Sequence, residues 1–251
     1  MRLTNDYYWF KNVIPHEVCD KIVDMGNKRI QELEEDGICT FGTTGSSAEK
    51  HNNPTLPSMK DLTPKEAKEK LGDFYIRDSK VAWFNDQWLY DMIWPFLQEA
   101  NREAGWNWDI DWAENFQFTR YDKDSLYGWH NDGGSDHHAK YILADQETID
   151  KHKKDGTPLP HKYTEDESMV GKVRKISMTL NLSNPEDFEG GSLKFDAGKT
   201  HDSGVDIYEC EEIKSKGSII FFPSFLQHTV TPITKGTRYS LVLWTLGKPW
   251  R

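Results

Sequence analysis

The strongest constraint on this chain is a switch in hydrophobic period at residue 115. Over NFQFTRY, Phe116 and Phe118 alternate with Asn115, Gln117, Thr119 and Tyr121. Over KISMTLNLS, Ile176, Met178, Leu180 and Leu182 alternate with Ser177, Thr179 and Asn181, and over RYSLVLWTL, Tyr239, Leu241 and Leu243 alternate with Arg238 and Ser240. A period of two puts successive side chains on opposite faces of a strand, so each segment has one face to pack against helices and one bearing polar groups. On an open sheet the polar faces would simply meet water. A small barrel with a polar ligand inside accounts for all three segments together. Turn signals in NPEDFEGG, the apolar KGSIIFFPS ending at Pro223, and TKG before the last strand bring the expected total to about eight strands between residues 115 and 246. The predicted fold is mainly β with supporting helices, a jelly-roll barrel.

Upstream the period is helical. Residues 15–36 start with Pro15 at a plausible first helical position and space Val18, Ile22, Met25 and Ile30 along one face. Asn85–Glu103 carries Trp88, Leu89, Met92, Ile93, Phe96, Leu97 and Ala100 on a second helical face, with Gly105 beyond its end and Pro95 inside, where a kink is expected. A short strand is expected near Asp73–Arg77, and the tryptophans at 83, 88, 94, 106, 108 and 112 are assigned to a support layer behind the barrel. The chain thus divides into a helical support region, 1–114, and a catalytic core, 115–251. Two stretches stand apart: the Gly, Ser, Asn and Pro-rich segment 40–64, read as a long loop, and a charged insertion at about 133–172 with no clear strand period, containing His137, His138, His152 and His161. Both are expected to act as lids, and the spacing of those histidines matches no common metal motif.

Composition narrows the partners. Of 251 residues, 31 are Lys or Arg and 41 are Asp or Glu, and the resulting formal charge of −10 repels phosphate backbones, so nucleic acid is not an expected partner. The three cysteines, Cys19, Cys39 and Cys210, form no CxxC pair. No apolar run is long enough to span a bilayer, and MRLTNDYYWFKN lacks the apolar core of a secretion signal, so a cytoplasmic protein without membrane contact is expected.

The chemistry concentrates in YGWHND. His130 and Asp132 stand at i and i+2, so on an extended strand both point to one face and can share a metal. His228, in FLQHTV, lies on another predicted strand far along the chain. Two imidazoles and one carboxylate on one face of an octahedral ion leave three positions open, the set typical of non-haem iron(II) oxygenases, whereas structural zinc sites are closed by four ligands and usually include cysteine. Arg238 follows His228 by ten residues, on the polar face of the next strand. A guanidinium inside a barrel needs an anion, and a dicarboxylic ligand is a natural partner.

These residues, with RKISMTLNLSNPEDFEGGSLKF and KGSIIFFPSFLQHTVTPITKGTRYSLVLWTLG, resemble the prolyl 4-hydroxylase branch of the 2-oxoglutarate and iron(II) oxygenases, especially its microbial and phage-type members. The resemblance spans about residues 115–247, with a weaker echo in YIRDSKVAWF, and implies a double-stranded β-helix. It implies Fe(II) held by His130, Asp132 and His228, and 2-oxoglutarate held by Arg238 and Tyr121, with Thr179 and Ser240 lining that pocket. Tyr127, Arg174 and Trp244 match positions on the substrate side of the iron. The implied reaction consumes O2, releases succinate and CO2, and hydroxylates a peptidyl proline at C4, with ascorbate as candidate auxiliary reductant. The long insertion departs from the family core. A free amino acid or other small metabolite is therefore the alternative substrate, and a non-enzymatic iron-binding or oxygen-sensing module a third reading. Repair of alkylated nucleic acid fits poorly, because Trp244 stands where that branch has a second arginine.

Overall fold

A computed structural model describes residues 5–38, 40, 42, 77–133, 139–155, 159, 162–200 and 204–250. The chain order is β1 (Tyr8–Phe10), α1 (His16–Glu35), β2 (Arg77–Asp78), β3 (Lys80–Phe84), α2 (Gln87–Glu103), β4 (Trp112–Ala113), β5 (Phe116–Tyr121), β6 (Leu126–His130), β7 (Ile142–Leu143), α3 (Gln146–Asp155) and β8 (Tyr163–Thr164). There follow β9 (Val173–Asn181), β10 (Phe188–Gly190), β11 (Leu193–Thr200), β12 (Gly204–Glu209), β13 (Ile219–Pro223), β14 (Gln227–Val230), β15 (Ile233–Gly236) and β16 (Arg238–Gly247).

Two antiparallel sheets face each other. The larger runs β1-β13-β9-β16-β5-β3, with β4 also on β16, and the smaller runs β12-β11-β14-β6-β2. Four strands of each, β13-β9-β16-β5 and β12-β11-β14-β6, make the eight-stranded double-stranded β-helix. The additional strands come partly from the support region: β1, β3 and β4 extend the larger sheet and β2 the smaller, so residues before 115 are woven into the barrel walls.

The alternation holds residue by residue. Phe116, Phe118, Ile176, Met178, Leu180, Leu241 and Leu243 are buried in one cluster with Cys19, Ile22 and Ile30 of α1 and Leu89, Ile93, Leu97 and Ala100 of α2. Each fully buried side chain of this size contributes about 1.5–3 kcal/mol, which fixes the helices on the outer face of the larger sheet and turns the polar set inward. Gly26 on α1 sits where any Cβ would collide with the ring of Phe118, so the helix meets the sheet at bare backbone. α2 continues through Pro95 to Glu103.

Three expectations need correction. The insertion is not without secondary structure, because Gln146–Asp155 forms a helix whose first turn is capped by Asp145 accepting from Thr148 N at 2.7 Å. Ile149 is its one apolar residue, so no hydrophobic period announces it. The tryptophans are not one layer: Trp106 is buried and Trp88, Trp94 and Trp108 pack partly against the core, but Trp83 and Trp112 are 47% and 39% exposed. Finally, Asp132 lies in a turn just past β6 rather than on the strand. Most of 40–64, with Cys39, His137, His138 and His161, lies outside the described residues. Among those described, no helix is long and apolar enough to cross a membrane.

Candidate active site

His130 and His228 are direct cross-strand partners on β6 and β14, so sheet register alone places both imidazoles side by side, with ring centroids 4.1 Å apart. Asp132 closes the group: His130 Nε2 lies 3.6 Å from its Oδ1 and His228 Nε2 3.7 Å from its Oδ2. These separations are too long for hydrogen bonds. The three ligand atoms lie within 4.8 Å of one another, close enough to share one ion.

The tautomers are set by backbone. His130 Nδ1 donates to the Gly128 carbonyl at 2.7 Å, and His228 Nδ1 donates to the Leu226 carbonyl at 2.9 Å, since a carbonyl can only accept. Each Nε2 lone pair is thereby turned toward Asp132, which is how metal-binding histidines are oriented. Burial, with His130 alongside, pushes His228 down to about 4, so it is neutral at pH 7. Burial opposes ionisation of Asp132, but the imidazoles of His228 and His130 and the guanidinium of Arg174 outweigh it and hold the carboxyl well below the usual range. The donor set is therefore N, N and O⁻, fitted to a divalent transition metal with open positions.

Around the triad one cavity collects most of the residues expected from the sequence: Tyr121, Tyr127, Thr179, Arg238, Ser240 and Trp244 all line it. Arg238 pairs across the sheet with Tyr121 and is 3% exposed. Burial draws its guanidinium below the usual arginine range, countered only by Tyr121, and no carboxylate pairs with it among the described residues. The buried Thr119 hydroxyl and Trp244 indole N–H also lack hydrogen-bond partners. A buried cation is costly unless an anionic ligand meets it. On this test the residues fit a dicarboxylate.

Arg174 is placed differently from its expected substrate-side position. Its Nε and Nη2 each donate to Glu114 at 2.6 Å, its Nη1 donates to the Asp132 carbonyl at 2.9 Å, and it lies over the Trp244 ring at 4.3 Å. It does not line the cavity. It braces the turn that carries Asp132, helped by Gly133 N donating to the Ser224 carbonyl at 3.0 Å. Because the Arg174–Glu114 pair is buried, Glu114→Gln should lower divalent-metal affinity about 10–100-fold, as loss of a supporting interaction around a metal does. A metal titration run beside a thermal melt checks this, and unchanged affinity would show that Asp132 is held without the brace.

Six lining residues were not among the predicted site residues: Arg77, Gln117, Leu193, Phe222, Val230 and Val242. Arg77 on β2 is 8% exposed, donates from Nε to Ser79 Oγ at 2.9 Å and from Nη2 to Gln117 Oε1 at 2.5 Å, and lies 4.6 Å from the Tyr127 ring centroid. Its only sequence signal was its place in YIRDSKVAWF. Phe222 packs edge-on to His228 at 4.7 Å and was legible only as part of an apolar strand.

Comparison with known proteins agrees with this geometry. The sequence profile of the 2OG-Fe(II) oxygenase superfamily matches residues 116–246. A PKHD-type hydroxylase of Synechococcus sp. (strain JA-2-3B'a(2-13)) is 35% identical over 86 residues, 33% of this chain and 35% of the relative. A PKHD-type hydroxylase of Saccharophagus degradans is 39% identical over 75 residues, 29% of each chain. The chain spans about a third of the length of these curated relatives. Among solved structures, a Pseudomonas putida prolyl-4-hydroxylase has a TM-score of 0.50 at 15% identity, covering 96% of this chain and 92% of that one. A Trichoplax adhaerens prolyl hydroxylase, solved with a hypoxia inducible factor peptide fragment, has a TM-score of 0.54 at 14% identity, covering 96% and 84%. Both share the fold. The profile match extends over more than half the chain, through every strand that carries the triad and Arg238, and with Fe(II), 2-oxoglutarate and O2 as the cofactor and cosubstrates its family implies, this chain belongs to the 2OG-Fe(II) oxygenase superfamily.

Proposed function

We propose that the protein is an Fe(II)- and 2-oxoglutarate-dependent hydroxylase of peptidyl proline, forming 4-hydroxyproline with release of succinate and CO2. The observation that carries the oxygenase reading is the meeting, in one cavity, of the His130, Asp132, His228 triad with a buried arginine that has no acidic partner among the described residues. The triad would hold the iron, and Arg238 with Tyr121 would hold the far carboxylate of 2-oxoglutarate, with Thr179 and Ser240 beside it. Iron, when bound, supplies the coupling of O2 activation to decarboxylation of the cosubstrate. The protein's task is placement and exclusion of water: backbone carbonyls fix both imidazoles, the Glu114–Arg174 pair fixes the Asp132 turn, and Tyr127 and Trp244 give an aromatic wall against which a proline ring can pack.

Proline as substrate draws support from the hydroxylase names of the relatives and from the prolyl hydroxylases that share the fold. One observation favours a second reading. Arg77 adds another buried guanidinium to the cavity wall, with no carboxylate on it among the described residues, so a free amino acid or other carboxylated metabolite would also find a partner there. Incubation with Fe(II), ascorbate and labelled 2-oxoglutarate separates the two. Succinate formation and a single added oxygen are expected with proline-containing peptides and not with free proline; turnover with free amino acids alone would replace the peptide reading.

A further inference from the structure

Beside the metal cavity lies a much larger cleft, about 1170 Å³, between α2, the β4 segment and the insertion. Its walls include Trp83, Trp94 and Trp112 from the support region and Tyr163, Thr164 and Met169 from the insertion. The size exceeds the roughly 300–1,000 Å³ of a small-molecule site. Trp83 and Trp112 are 47% and 39% exposed, although the core covers their neighbour Trp106.

The cleft shares a wall with the active site. Trp83 lies 6.0 Å from Trp244, which lines the metal cavity. Glu114 lines the cleft while holding Arg174, whose other nitrogen reaches the Asp132 carbonyl.

Its charge is one-sided. Five carboxylates line it and, among the described residues, no lysine or arginine does, though Lys172 Nζ lies 5.4 Å from the Trp112 ring centroid. Three of the five are balanced from outside the lining: Asp111 by Lys172 at 2.9 Å, Glu165 by Lys153 at 3.0 Å, and Glu114 by Arg174. Asp91 and Asp166 have no cationic partner among the described residues; they accept only from Gln87 and Ser168. Exposed indole faces beside unbalanced carboxylates suit two kinds of side chain. Proline rings of an extended polyproline segment stack on aromatic grooves, and lysine or arginine gains both Coulomb and cation–π attraction.

We propose that this cleft docks the part of the substrate polypeptide flanking the hydroxylated proline, and that the preferred flank contains proline together with lysine or arginine. The inference deepens the peptidyl-proline reading and rests on it.

The test uses the full chain loaded with Fe(II) and 2-oxoglutarate under argon, so that binding is measured without turnover, followed by admission of air. Fluorescence anisotropy compares labelled peptides of equal length with one central proline and proline-spaced lysine, serine or glutamate flanks. The lysine peptide should bind about tenfold more tightly than the glutamate peptide at low salt, with the gap closing as salt rises. The double variant Asp91→Lys, Asp166→Lys should reverse that order. Both sites are exposed, and a thermal melt checks that losing the Asp166 bonds to Ser168 leaves the fold intact. Trp112→Ala, also at an exposed site, should weaken binding of every proline-flanked peptide. Equal affinity for the three peptides, or an order indifferent to the double variant, overturns the docking proposal, and if the peptides still gain oxygen in air the hydroxylase reading stands. Charge-ordered binding with no oxygen added supports the preference of the cleft and overturns proline hydroxylation.

Discussion

Asp132→Ala should reduce iron(II) affinity and 2-oxoglutarate turnover by more than about 100-fold, beyond the 10–100-fold typical of residues that only support a metal ligand. The barrel should survive the change. What Arg174 grips at this position is the backbone carbonyl, and Glu114 already neutralises the guanidinium, so removing the carboxylate leaves no buried cation stranded. The two imidazoles keep their backbone acceptors, and burial keeps His228 neutral, pushed down to about 4. Metal titration by calorimetry, with circular dichroism as the control for folding, reads both effects. Iron affinity close to that of the unaltered protein would remove Asp132 from the ligand set.

Arg238→Met should have two effects of opposite sign. Loss of the buried cation paired with Tyr121 should weaken 2-oxoglutarate by about 3–5 kcal/mol, the cost of breaking a buried ion pair, and so raise its KM at least about 100-fold. Without cosubstrate, the same replacement should raise the melting temperature, because it removes a charge that is 3% exposed and has no acidic partner among the described residues. A structural arginine would behave otherwise, lowering stability and leaving the KM alone. Measuring the melting temperature with and without 2-oxoglutarate, beside the KM, separates the two cases.

The strands that carry the site were legible because their faces differ. Alternation fixes which side chains of NFQFTRY, KISMTLNLS and RYSLVLWTL point inward, and the structure buries the complementary set against α1 and α2. The His-x-Asp pair and Arg238 could be picked out because a polar residue on an inward face demands a partner. Sequence did not reveal that Asp132 leaves the strand, nor what holds it there. The Arg174–Glu114 brace joins residues 60 apart, and a long-range ion pair leaves no periodic trace. The helix at Gln146–Asp155 was missed for a related reason, having no apolar face to betray it. The tryptophans show a third limit: hydrophobicity says that an indole wants contact, but only the packing distinguishes Trp106, covered by the core, from Trp83 and Trp112, left facing a cleft.

The cross-strand pairing of His130 with His228 also ties cofactor supply to architecture. A slip of β14 by a single residue would swing its imidazole to the outer surface and dismantle the site, so an ion gripped from both strands acts as a rivet through the smaller sheet. The larger sheet, backed by α1 and α2, owes its cohesion to greasy packing and needs no such fastening. Iron starvation would therefore loosen one wall of the barrel and spare the other.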